Sequence, residues 1–180
     1  MQKASVTLID RYGTFPQGFL RYTLFVRKLC LLLSFTVPAV GQTLKLSSVS
    51  TAAGTVAPMT VTLTSPAGKE PVGLQWEVSY SSPQLGIEGR EMTIGAAAKR
   101  VGKELTCHGW PQGAGTYVYR CILVVGSERF SNGPVAVLSF HVRATARPGP
   151  STVRLSNALG ASADGNPITI NSSQADVMIR

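Results

Sequence analysis

The stretch Gly73-Leu74-Gln75-Trp76-Glu77-Val78-Ser79-Tyr80 decides the fold. On an extended chain Leu74, Trp76, Val78 and Tyr80 fall on one side and Gln75, Glu77 and Ser79 on the other, the pattern of a strand with one buried face. A helix would scatter the same four apolar residues around its circumference. Trp76 is therefore read as a core residue in phase with Leu74 and Val78.

The same punctuation recurs on both sides. Residues 44–49 alternate, with Leu44 and Leu46 inward and Lys45 and Ser47 outward, and residues 56–63 place Met59, Val61 and Leu63 on one face. Residues 85–94 read as a bent strand broken by Gly86 and Gly89, and 96–103 as a short connection or strand. Residues 109–115 read as a Gly-Pro-rich turn. Residues 117–125 and 135–144 are long and apolar, which predicts central strands. After Arg147-Pro148-Gly149-Pro150 come strands at 152–155, 168–170 and 177–179, with a loop over 157–164. About nine strands in about 139 residues, without a helical period, predict an all-β antiparallel jelly-roll or Greek-key sandwich. No fixed-period repeat and no long linker divides it, so it reads as one domain.

Composition agrees. The chain has 180 residues with 18 Gly, 11 Pro, 44% hydrophobic and 14% charged residues. That excludes a coiled coil, an acidic disordered tail and a collagen-like repeat. Residues 27–41 run from Arg27-Lys28 through an apolar stretch to Pro38-Ala39-Val40-Gly41, the order of a secretory signal cleaved after Gly41. The apolar stretch 29–37, nine residues long, is too short to cross a bilayer as a permanent helix. Residues 1–41 are thus expected to be leader and signal, with 1–25 an over-extended start, and 42–180 the exported body. No membrane association is expected after cleavage, and the destination is outside the cell or in the cell envelope. Cys30 should leave with the signal.

Of 17 basic and 9 acidic residues, five and one precede residue 42, so the body carries 12 against 8, a net of +4. Its Lys and Arg are dispersed among the strands, without the basic stripe that a phosphate backbone needs, so nucleic acid is not an expected partner. Cys107 and Cys121 remain as an even pair in an exported chain, which favours a disulfide across a hairpin turning near Ala114. The rival is a pair of buried free thiols.

Four segments, in this order and spacing, resemble bacterial cohesin modules, the anchoring units of cellulosomes. They are Gly54-Thr55-Val56 into Met59-Thr60-Val61, Pro71-Val72 into the decisive strand 73–80, Asn132-Gly133-Pro134-Val135-Ala136-Val137-Leu138, and Ala158-Leu159-Gly160 to Asp164-Gly165-Asn166-Pro167-Ile168. The similarity spans about residues 44–179. It implies a nine-stranded jelly roll that grips a calcium-loaded helix pair, the dockerin, on one flat sheet face. Gln75, Glu77, Ser79 and Arg120, with outward positions of strands 117–125 and 135–144, would form that face. Calcium would belong to the partner.

The alternative partner is a polysaccharide, for which coplanar exposed aromatics are required. Trp110, flanked by Gly109 and Pro111, offers such a platform with Tyr117 and Tyr119, or else packs over the disulfide. A structural or adhesive envelope sandwich is the third reading. Asp164-Gly165-Asn166 reads as a turn, because no acidic closer follows to complete a calcium loop. His108 lies beside a turn, and His141 is read as a solvated strand residue in phase with Ser139 and Arg143. Single, dispersed acids and two histidines in no known catalytic spacing exclude the common hydrolase and metalloprotease motifs. Neither Glu88 nor Glu91 qualifies as a glycosidase pair on sequence alone. The chain is expected to be a non-enzyme with no cofactor and no metal of its own.

Overall fold

The computed structural model describes residues 41–180. The leader and export-signal readings, with Cys30, fall on residues 1–40 and lie outside the described residues. The body is built from β1 (Gln42–Leu46), β2 (Val49–Thr51), β3 (Val56–Thr64), β4 (Gly73–Ser81), β5 (Leu85–Gly86), β6 (Met92–Ile94), a short helix α1 (Ala96–Arg100), β7 (Glu104–Gly113), β8 (Thr116–Val124), β9 (Gly133–Val142), β10 (Gly149–Ala161), β11 (Pro167–Ser172) and β12 (Gln174–Ile179).

One layer runs β1-β3-β9, with β5 and β6 both pairing on the far side of β9. The other runs β7-β8-β4-β10, continued by β12 along the first half of β10 and by β2 beyond it. Strand β11 joins them, antiparallel to the end of β10 and parallel to β1, so the sheet curls over onto itself. This is the sandwich the alternation predicts.

The core between the layers holds Trp76, Leu123, Met59, Leu138 and Phe140, each fully buried. Contacts cross it directly: Tyr80 of β4 meets Phe140 of β9 edge-on at 5.1 Å, and Cys121 Sγ lies 3.6 Å from Met92 Sδ.

The strand count exceeds nine because β2, β5 and β6 are two or three residues long, too short to show an alternation. Residues 85–94 are two strand pieces around a 3₁₀ turn at Gly89–Glu91, rather than one bent strand. The stretch 96–103 opens with a helical turn. Its Ala-Ala-Ala-Lys-Arg composition favours helix, and Ala97 and Ala98 are buried. Residues 157–164 are not all loop: β10 continues through Ala161 past a bulge at Asn157, whose φ of +49° mimics a turn in sequence. Nor is 109–115 all turn, since β7 runs on to Gly113. Gly109 is required there, because a β-carbon would stand 2.6 Å from the Tyr119 ring and 2.7 Å from that of Tyr117.

Cys107 and Cys121 stand directly opposite each other in the β7–β8 register and are joined as a disulfide. The bond closes a hairpin of sequence separation 14. In the chain-entropy model such a loop stabilises by about 3 kcal/mol. Replacing both cysteines by Ala is expected to lower the stability from urea unfolding by about 2–3 kcal/mol and to raise the m-value, because the freed unfolded chain exposes more surface. A shift below about 0.5 kcal/mol would show that the hairpin is equally constrained without the bond.

Candidate partner-binding face

The outward positions of β4 are Gly73, Gln75, Glu77, Ser79 and Ser81, and register extends the middle three across β8 and β10. Gln75 is level with Ile122 of β8 and Leu159 of β10; Glu77 with Arg120 and Ser156; Ser79 with Val118 and Arg154. On the far side of β8, Arg120 is level with His108, and Val118 with Trp110. Gln75, Glu77, Ser79 and Arg120 are thus brought together on one surface.

Glu77 is its fixed point. It is only 9% exposed although it points outward. Arg120 reaches Oε1 through Nη2 at 2.6 Å and Nε at 3.1 Å, and the Asn157 side-chain amide donates to Oε2 at 2.6 Å. The β10 bulge therefore delivers one of the three donors. The Arg120 hydrogen bond, joined by that of Asn157, holds the Glu77 carboxyl below the usual carboxylate range against the opposing effect of burial. Arg120 in turn lies 5.6 Å from the Trp110 ring, within cation–π range, and Trp110 stacks on His108. A row of linked polar and aromatic groups crosses β10, β4, β8 and β7.

Because the folded carboxyl ionises more readily than the unfolded one, its contribution is present above the ordinary value of 4.5 and is lost as pH falls through the lower folded value. Glu77→Gln is expected to cost about 1–3 kcal/mol at pH 7 and to flatten the decline of Tm between about pH 5 and pH 3. Parallel acid limbs for both proteins would assign that decline to other carboxyls.

Beside this row the surface becomes apolar. Gly73, Gln75, Ile122, Val124, Leu159 and Ala161 line a shallow depression of about 230 Å³, with Val124 46% and Leu159 45% exposed. Its end is the turn after β8, where Val125 holds φ at +80°, a strained conformation for a β-branched residue. Lys103 secures that turn: its ammonium donates to the Gly126 carbonyl at 2.9 Å and sits over the Phe130 ring. Burial pulls the Lys103 pKa down. Ile122 and Val124 are among the outward positions of strand 117–125 expected on this face, whereas Leu159 was missed. Leu159 fell in a stretch expected to be loop, where no strand phase assigns a face.

Two expectations are corrected. Strand β9 belongs to the opposite layer, so the outward positions of 135–144, Val137, Ser139 and His141, lie on the other side of the molecule from Gln75. The Trp110, Tyr117 and Tyr119 platform does not form. Tyr117 and Tyr119 share the inner side of β8 with Cys121, whereas Trp110 pairs with Val118 on the outer side. For the same reason Trp110 does not pack over the disulfide. Signal for this existed: Trp110 is three residues from Cys107, while Tyr117 and Tyr119 are four and two from Cys121. In paired strands an odd offset means the opposite face.

Among the described residues no three His, Cys, Asp or Glu side chains are grouped to hold a metal ion, and no helix is long and apolar enough to cross a membrane. Asp164 and Asn166 lie in the turn between β10 and β11, where the Ser162 hydroxyl accepts from the Asn166 N–H at 3.0 Å.

No protein-family model matches the chain, and no curated protein does. Solved structures do. The sixth cohesin of scaffoldin B from Acetivibrio cellulolyticus, in complex with a Cel5 dockerin, aligns with TM-score 0.63 at 15% identity, covering 78% of this chain and 99% of that one. The Coh-OlpA–Doc918 type I cohesin–dockerin complex from Clostridium thermocellum aligns with TM-score 0.64 at 15% identity, over 78% of this chain and 99% of that chain. A non-cellulosomal cohesin from the hyperthermophilic archaeon Archaeoglobus fulgidus gives TM-score 0.59 at 16% identity, over 78% and 91%. The body has the cohesin fold.

Proposed function

We propose that this chain is an exported, non-catalytic recognition module that captures a dockerin-like, calcium-loaded helix pair on the outer face of β7-β8-β4-β10. The observation that carries this reading is the composition of that face. An apolar centre at Ile122, Val124 and Leu159 adjoins a polar rim at Gln75, Glu77, Ser79 and Arg120, the arrangement of protein–protein interfaces. The rim is preorganised, because Arg120 is held on Glu77 before any partner arrives. A stable complex would bury about 800 Å² on each partner. Support from outside comes from cohesin-fold structures solved with dockerins bound. Export is supported by the Cys107–Cys121 disulfide, which suits an oxidising compartment.

The test is a binding array of calcium-loaded dockerin modules, with and without chelator, alongside a pull-down from the producing organism. Capture of a helix pair that is lost on chelation, while the chain's own Tm stays unchanged, is the expected result. No capture at any calcium level from either source would remove the reading.

A further inference from the structure

A second concavity lies away from the outer face, at the end of the sandwich between the layers. Its volume is about 450 Å³, within the range of about 300–1,000 Å³ typical of small-molecule sites. One wall is aromatic: Tyr80 from β4 and Tyr117 and Tyr119 from the inner side of β8. Their rings are neighbours, with centroids 6.0 Å apart for Tyr80 and Tyr117 and 5.3 Å for Tyr117 and Tyr119. The other wall is polar, with His141 and Arg143 from the end of β9 and Glu88 and Glu91 from the segment linking β5 to β6.

This wall is built rather than incidental. Glu91 receives the Glu88 N–H on Oε2 at 2.6 Å and pairs through Oε1 with His141 Nε2, so a 3₁₀ turn is tied to a strand of the first layer. The Tyr119 hydroxyl donates to the Ile87 carbonyl at 3.0 Å, tying the same segment to the second layer. The Arg143 side chain lies over Gly86 and donates only through Nε, at 3.4 Å to the Ser82 carbonyl; its terminal nitrogens donate to no group among the described residues.

The mixture selects a ligand by elimination. A hydrocarbon would leave a guanidinium and two carboxylates facing apolar surface. An anion would face Glu88 and Glu91, and a cation would face Arg143. A neutral ring with one C–H face and several hydroxyls satisfies all of them, its face against Tyr117, the partly exposed one of the three tyrosines, its hydroxyls donating to Glu88, whose other partner is Arg90 at the surface, and accepting from Arg143. We propose that this cleft is a saccharide site that takes a neutral pyranose, independent of the protein-docking face. Of the two tyrosines expected in a surface platform, Tyr117 binds here instead and Tyr119 backs it from the core, with Glu88, His141 and Arg143 in place of Trp110.

The test is ligand-detected and protein-detected NMR with glucose, N-acetylglucosamine, cellobiose, xylobiose and mannobiose, each raised to about 20 mM, a ceiling that reaches weak single-site binding. At least one of them is expected to shift the ring resonances of Tyr117 and to show saturation transfer. Arg143→Met and Glu88→Gln, both at exposed positions, should each weaken that binding about tenfold or more, with folding and dockerin capture intact. Trp110→Ala should leave it unchanged. The proposal is overturned if none of the five sugars shifts the tyrosines, if both cleft variants bind as the parent does, or if Trp110→Ala alone abolishes binding. None of these outcomes bears on the outer face.

Discussion

Leu159→Lys is expected to abolish capture of the helix pair, weakening it about 100-fold or more, while Tm stays within about 1 °C of the parent. Leu159 is 45% exposed, sits level with Gln75, and closes the apolar depression opposite Ile122 and Val124. In the free chain the added ammonium remains in water, and a surface change of this kind costs within about 0.5 kcal/mol. In the complex the same ammonium would be buried at the apolar centre without a partner. Loss of a central contact is worth about 2 kcal/mol or more, and an unpaired buried charge adds to that. Ser139→Lys is the matched control, on the outward side of β9 in the other layer. Intact binding by Leu159→Lys together with loss by Ser139→Lys, read by calorimetry on the same helix pair, would move the docking surface across the molecule.

Trp76→Ala is expected to cost about 3–5 kcal/mol, a large share of the 5–15 kcal/mol that holds such a domain together. Trp76 has no exposed surface, stands at the centre of β4, and is flanked on its face by the buried residues Leu74 and Val78. The layers on either side are continuous sheets, so they cannot collapse to fill the space. Trp76→Phe should cost far less, under about 1.5 kcal/mol, because the indole N–H has no acceptor among the described residues and its loss strands no partner. Trp110→Ala is the counterpart on the outer face and should cost about 1 kcal/mol, since what it removes are two contacts at the surface, the cation–π contact with Arg120 and the stack on His108. Urea unfolding of the three variants measures this order. Equal costs for Trp76→Ala and Trp110→Ala would contradict the assignment of the first to the core and the second to the surface.

The two candidate sites differ in how far they were legible. Gln75, Glu77 and Ser79 share a face by strand period alone, and Arg120 is set outward by the inward Cys121 next to it, but only the pairing of β8 with β4 brings it to Glu77. That reading carried no hint that Glu77 would be nearly buried, because its third donor comes from Asn157, 80 residues away on a bulged strand. The cleft was not legible at all. Glu88, Glu91, His141 and Arg143 are unremarkable singly, and each was assigned to solvent or left without a role. They converge because β5 pairs with the end of β9, which carries the linking segment over the tyrosines of β8.

Alternation of side chains along an extended chain is a local property, so the amino-acid order alone determined that this body is a sandwich and which residues of its longer strands enter the core, and it favoured the pairing of Cys107 with Cys121. Which strands share a layer was decided only in the folded molecule. Pairing between β9 and β3, or between β10 and β4, joins residues far apart in the chain through backbone hydrogen bonds that every residue but proline can make, whatever its side chain. For that reason β8 and β9, alike in length and apolarity, came to lie in opposite layers. For the same reason the aromatic residues of one hairpin were divided between an outer surface and an inner cleft.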